Sequence, residues 1–249
     1  MRLCSLTLTI LFLSSCSPDD SLSVRLSDLE QVRFDPGYHF DAAHLSNGLD
    51  VPFVTYRPGV SPTSKLPLII VLHGGGQYGT YQGEGVLKSL FRPGLQDQRA
   101  IFIAPTAVSG HWASPNSLEL IDALVNGIKR AGWPIDPDKI VIAGYSAGAI
   151  GAWYITGSAP DLVKAGIAVA GDPVAGSLQS GDTLVPLFVI HGREDEVFPF
   201  DDAESEVSAL INAGAPYVFY PMDGLSHTAL AAYVPGVAEA SLWLATILQ

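Results

Sequence analysis

The chain has 249 residues, 48% of them hydrophobic and 15% charged, enough apolar material for one domain with a sizeable core. Its formal net charge is −12 and its isoelectric point lies near 4.7, which argues against nucleic acid and against electrostatic docking on anionic lipid. Internal repeats and low-complexity tracts are absent from the sequence.

The chain opens "MRLCSLTLTILFLSSC". Arg2 gives a short positive start, and the apolar run Leu3 to Leu13 is too short for a bilayer, which needs about 20 residues. This is the pattern of a secretory signal over residues 1–15. Its end, Leu13-Ser14-Ser15-Cys16, resembles the bacterial lipoprotein cleavage box, which implies a lipid on the Cys16 thiol and an extracytoplasmic, membrane-anchored protein. Ser17 after the cysteine is similar to the pattern that sorts enterobacterial lipoproteins to the outer membrane. Cys4, the only other cysteine, falls inside the signal, so no disulfide is expected. Residues 16–35 are polar and read as a tether, and residues 36–249 as the folded domain.

Two extended segments, "YHFDAAHL" and "VPFVTYRP", flank "SNGLD", and Asn47-Gly48 is a hairpin turn signal. Leu66 to Leu72 is a continuous apolar run, the mark of a strand buried on both faces. "GEGVLKSLFRPG" predicts a short helix, and "AIFIAPTA" a second buried strand. In "SLELIDALVNGIKRAG", Leu118, Ile121, Leu124, Val125 and Ile128 share one helical face. "DKIVIAGYS", "KAGIAVAGD", "LVPLFVIHG" and "PYVFYPMDG" predict four more parallel strands. Helices are predicted at "AGAIGAWYITG", "DDAESEVSALINAG" and "GVAEASLWLATILQ". Parallel strands joined by short connections need helical crossovers, so the fold class is α/β with a doubly wound, mostly parallel sheet and an early antiparallel edge. The stretch between the strands near Ala170 and Leu184 is too short for a helical lid domain.

Gly144-Tyr145-Ser146-Ala147-Gly148 lies where a buried strand meets a helix. The G-x-S-x-G pentapeptide in that context is a nucleophile turn, with the serine strained and its hydroxyl projecting from the sheet edge. A plain structural turn is the alternative. In this architecture the acid and the histidine follow the nucleophile. Only His191 and His227 lie downstream. His227 follows the last strand and can reach back over the sheet edge as general base, whereas His191 is expected to support its own loop. Asp195 in "HGREDEVFP" is the preferred acid, with Asp172 in "AGDP" as the other candidate and with Glu194 and Glu196 expected to face solvent. The glycines of "LHGGGQYG" let backbone N–H groups approach a developing oxyanion. Gly75 and Ala147 are the expected donors, Gly76 the alternative to Gly75, and His73 the brace of that loop. Gly76, Tyr78, Tyr81, Trp112 and Tyr145 are candidate substrate contacts, with loop packing the other reading of Trp112, Tyr78 and Tyr81. Metal-ligand spacing and a phosphate-binding lysine motif are absent from the sequence, so neither metal nor cofactor is expected.

Together these features resemble the α/β-hydrolase superfamily over about residues 50–249. "IDPDKIVIAGYSAG", "APDLVKAGIAVAG" and "HGREDEVFP" are similar to the esterase group that includes polyhydroxyalkanoate depolymerases, feruloyl and acetylxylan esterases, and phospholipase/carboxylesterase-type peptidases. The resemblance implies a triad of Ser146, Asp195 and His227 acting on a small or polymeric ester. Two departures stand out: Ala149 where the group often has glycine, and no available disulfide. A serine peptidase of the same fold and a silent surface lipoprotein that only binds are the rival readings; oligomeric state is left open.

Overall fold

The computed structural model describes residues 21–59, 63, 65–77, 79–108, 110–173 and 184–249. The expected signal sequence, Cys16 and Tyr78 lie outside the described residues, as does most of the short 170–186 connection.

One eight-stranded sheet runs through the molecule. Its strands are β1 (Gly37–His44), β2 (Asp50–Arg57), β3 (Leu66–Leu72), β4 (Ile101–Pro105), β5 (Ile135–Tyr145), β6 (Ala165–Val169), β7 (Leu187–Gly192) and β8 (Tyr217–Met222). The spatial order is β1-β2-β4-β3-β5-β6-β7-β8. Pairings from β4 to β8 are parallel, while β1–β2 and β2–β4 are antiparallel. Every residue of β4, β6 and β7 is buried, as strands covered on both faces require. The β1–β2 hairpin turns through Gly48, whose φ of 86° suits glycine.

Helices cover both faces. On one, α4 (Pro115–Arg130) lays Leu120, Ile121, Leu124 and Ile128 into the cluster that holds Leu68, Ile70 and Leu72. Its start is capped by Ser114, whose Oγ accepts from the Ser117 N–H at 3.2 Å. On the other face, α2 (Glu84–Val86), a π turn (Leu87–Phe91) and α3 (Arg92–Gly94) replace the single helix expected from "GEGVLKSLFRPG". The Arg92 N–H reaches back five residues to the Leu87 carbonyl, just before Pro93, which has no N–H to continue an ordinary ladder. α7 (Val234–Ile247) packs beside this stretch through Val237, Ala240 and Leu244. Leu230–Ile247 is apolar and long enough, by length and composition, to cross a membrane, yet these three residues are fully buried in protein. α5 (Ala147–Ser158) follows β5 directly, and α6 (Phe200–Asn212) precedes β8.

The tether expected over 16–35 is not loose along its described part. Val24, Leu29 and Val32 are buried in the same cluster as α4, and Leu29 sits in α1 (Leu26–Glu30). The Trp133 Nε1–H donates to the Leu29 carbonyl at 3.0 Å. The Asp28 carboxylate takes both the His44 backbone N–H at 2.9 Å and its Nδ1 at 2.8 Å, and His44 holds the Asp28 pKa below the ordinary carboxylate value against its burial. Widely spaced apolar residues in a polar segment carry little periodic signal, but Val24 and Leu29 both lie against the bare Gly127 of α4.

Candidate active site

β5 ends at Tyr145, and the chain turns at Ser146 into α5. The Ser146 backbone is strained, with φ 55° and ψ −121°, and its N–H is held by the Val169 carbonyl at 2.9 Å. The flanking glycines are steric necessities. A Cβ on Gly144 would sit 1.9 Å from the Gly148 carbonyl oxygen, and one on Gly148 would sit 2.1 Å from the Leu72 carbonyl oxygen.

The three residues expected as a triad converge from three connections. The Ser146 hydroxyl lies 2.8 Å from His227 Nε2, and His227 Nδ1 lies 2.9 Å from Asp195 Oδ2. Asp195 and His227 are 6% and 8% exposed. The other carboxylate oxygen of Asp195 accepts the N–H groups of Val197 and Phe198 at 2.9 and 2.8 Å. A carboxylate with both oxygens occupied accepts the Nδ1 proton and leaves Nε2 free to take one from the serine. That tautomer follows from the hydrogen-bond network.

Asp172, the other candidate acid, does not contact His227. It is half-buried, and its Oδ1 has no partner among the described residues. Burial pushes its pKa up to about 6, with Glu206, Asp195 and Asp202 adding to the rise and His191 opposing it. His191 is fully buried beneath the loop that carries Asp195. Its Nε2 donates to the Phe198 carbonyl at 2.8 Å and lies 3.6 Å from Asp195 Oδ2. It supports the loop, as expected.

The loop after β3 abuts the turn at Ser146. A Cβ on Gly74 would fall 3.4 Å from the Ser146 Cβ, and one on Gly75 would meet only the Ala147 Cβ, at 3.9 Å. Gly75 therefore borders Ala147, whose N–H opens α5 and has no intrahelical partner. Gly76, with φ 68°, continues the loop outward and is exposed. His73 is buried. Its Nδ1–H donates to the Gly74 carbonyl at 2.7 Å, and its Nε2 accepts from the Ala107 N–H at 3.2 Å. Burial lowers its pKa, which keeps the ring neutral in this bracing role.

Trp112 is not a substrate wall. It is 1% exposed, donates Nε1–H to the His73 carbonyl at 2.9 Å and packs where a Cβ on Gly151 would be 2.3 Å away. Tyr81 packs edge-on against Phe40, with centroids 5.1 Å apart. Tyr145 turns towards His227. Its ring stacks on the His227 imidazole at 5.8 Å and 24°, and its hydroxyl donates to the His227 carbonyl. Burial, then Asp195 and Glu196, push the Tyr145 pKa up to about 12, so the donor proton stays on. Glu196 is exposed, as expected, but not idle: its Oε2 accepts the His227 backbone N–H at 2.9 Å. No local sequence signal points to either contact, because the partners lie 82 and 31 residues apart.

The model of the family described as Phospholipase/Carboxylesterase matches residues 111–239, just over half of the chain. The chain belongs to the phospholipase/carboxylesterase family. The matched region holds Ser146, Asp195 and His227, while the glycine loop at 73–76 lies before it. An uncharacterized secreted protein of Arthroderma benhamiae is 31% identical over 205 residues, 74% of this chain. The chain spans about a fifth (21%) of that relative's length. Among solved structures, a thermostable esterase superposes with a TM-score of 0.67 at 20% identity, over 84% of this chain and 62% of its own. Fluorophosphonate-binding serine hydrolase F of Staphylococcus aureus gives 0.69 at 16%, over 84% and 99%. Esterase 2 of Thermogutta terrifontis, phosphoramylated by tabun, gives 0.63 at 19%, over 87% and 96%. At such identities these likenesses concern the fold, which is the α/β-hydrolase fold expected for this family member.

Proposed function

We propose that the protein is a serine hydrolase that cleaves carboxylic esters through Ser146, His227 and Asp195. One observation carries the reading: the unbroken line from the Ser146 hydroxyl through both nitrogens of His227 to the Asp195 carboxylate, at 2.8 and 2.9 Å. Family membership and the esterases among the structural neighbours support it. In this reading Ser146 Oγ attacks the ester carbonyl carbon while His227 Nε2 takes its proton. The N–H groups of Gly75 and Ala147 hold the oxyanion, each lowering the barrier by about 3 kcal/mol. As the intermediate collapses, His227 returns the proton to the departing alcohol. Water, deprotonated by His227, then attacks the acyl-Ser146 carbonyl, and the acid leaves. Asp195 keeps Nδ1 protonated and stabilises the imidazolium throughout.

The test is hydrolysis of p-nitrophenyl esters from acetate to long-chain acyl, with protein starting at residue 17 beside Ser146→Ala. We expect the variant to lose at least about 10⁴-fold in kcat, and the chain-length profile to size the acyl site. A folded wild type inactive on every ester, or a variant as active as wild type, would overturn the reading. Matched ester and amide substrates with one acyl group separate an esterase from a peptidase.

We also propose that the protein is extracytoplasmic and anchored by a lipid on Cys16, on the strength of the Leu13–Cys16 box and of a relative named as secreted. Labelled fatty acid should enter the wild type in a bacterial host and not Cys16→Ser.

A further inference from the structure

His227 lies outside any regular element, on the connection between β8 and the 3-10 turn Leu230–Tyr233. Such a segment does not place a side chain by itself, yet a general base must be held to within about 0.5 Å of its working geometry. The imidazole is fixed at both nitrogens by Ser146 and Asp195 and packs against the rings of Tyr145 and Phe198, at 5.8 and 5.4 Å. Its own peptide is gripped as well. Glu196 Oε2 accepts the backbone N–H at 2.9 Å, and the Tyr145 hydroxyl donates to the carbonyl. Tyr145 directly precedes Ser146, and Glu196 directly follows Asp195. The connections that carry nucleophile and acid thus each hold the base twice, once by its ring and once by its main chain.

We propose that Glu196 is a positioning residue for His227, acting with Tyr145 to keep the imidazole aligned between Ser146 and Asp195. The proposal rests on the triad reading above. Two features support it over mere stability. Glu196 is exposed, so packing does not dictate where its carboxylate sits, yet it meets the His227 N–H at 2.9 Å. The carboxylate also gives up rotamer freedom to hold this one geometry, and the bond it gains is charge-assisted. Tyr145 serves in the same way: its raised pKa keeps the hydroxyl a donor over the range in which such a base works. Neither residue touches the reacting atoms; both act through His227.

The experiment compares Glu196→Ala, Glu196→Gln, Tyr145→Phe and Ser146→Ala in the full chain on one p-nitrophenyl ester. Misplacing a catalytic group by about 1 Å can cost about 100-fold. We expect Glu196→Ala to lower kcat by about 10- to 100-fold with KM changed less than about twofold, and thermal stability to stay near wild type. Glu196→Gln keeps an acceptor at the same place and should restore most of the rate. Tyr145→Phe keeps the ring, loses the donor, and should lower kcat in the same sense. In proton NMR, the low-field His227 Nδ1–H signal, assigned by its loss in Asp195→Asn, should broaden in Glu196→Ala. Wild-type kcat in Glu196→Ala would overturn the proposal. So would equal losses in the Ala and Gln variants, which would point to charge rather than position, or a change confined to KM, which would point to substrate contact. Activity in Ser146→Ala would instead sink the triad reading itself, so the two failures are told apart.

Discussion

Asp172 is a carboxyl that the fold prefers uncharged. Burial raises its pKa from the ordinary 3.8 to about 6, because ionising it inside the protein costs hydration that His191 only partly replaces. Between these two values the folded chain keeps a proton that the unfolded chain releases. Stability therefore falls as pH rises through that window, and the loss is complete above about pH 6. Asp172→Asn removes the ionisation. Its thermal midpoint should match wild type near about pH 4 and exceed it near about pH 8. A variant less stable than wild type at the higher pH would mean that the anion is wanted there. Asp172 was legible in the sequence only as a candidate acid after a strand. Its rank below Asp195 is a matter of which carboxylate His227 reaches, and Asp195 has both the contact and two backbone N–H groups to hold its charge.

The β5–α5 turn is the element on which the proposed chemistry depends. Ser146 can take its strained conformation only because strand and helix meet at van der Waals distance across Gly144 and Gly148. A methyl at Gly148 would fall 2.1 Å from a backbone oxygen of β3, and backbone cannot step aside as a flexible side chain can. Gly148→Ala should therefore destabilise by about 3 kcal/mol or more, read by denaturant unfolding. Gly75→Ala meets nothing closer than 3.9 Å and should fold with near wild-type stability. Equal stability in both variants would show that the turn relaxes more easily than its contacts imply. This element was readable in advance, since an apolar run, two glycines around a serine and a helical pattern are local and mutually consistent. The π turn at Leu87–Phe91 was not, because a helix with one extra residue per turn has almost the same apolar pattern.

At the scale of the whole molecule, Val24, Leu29 and Val32 pack into the same core as α4. Leu29 is fully buried, its side chain packed where Gly127 of α4 leaves room: a Cβ there would lie 2.8 Å from Leu29 Cδ1. Leu29→Ala should cost about 3 kcal/mol, in the range for a buried leucine, although it lies far along the chain from β3–β8. Unfolding unchanged by the substitution would restore the tether reading for this segment. If Cys16 carries a lipid, the slack between anchor and domain is then shorter than residues 16–35 suggest, because Val24 is already packed.

The sequence by itself determined the alternation of buried strands and helices, the antiparallel edge, and the sharp strand-to-helix turn at Ser146. These are written in local patterns: apolar runs, periodicity, glycines with one permitted conformation, and connections too short for other topologies. Only the tertiary structure decided that Trp112 braces a loop, that residues 24–32 dock, and that Glu196 and Tyr145 grip the main chain of His227. Each of these is a contact between segments tens of residues apart. Such contacts depend on where the sheet brings its edges, and no short stretch of sequence carries that information.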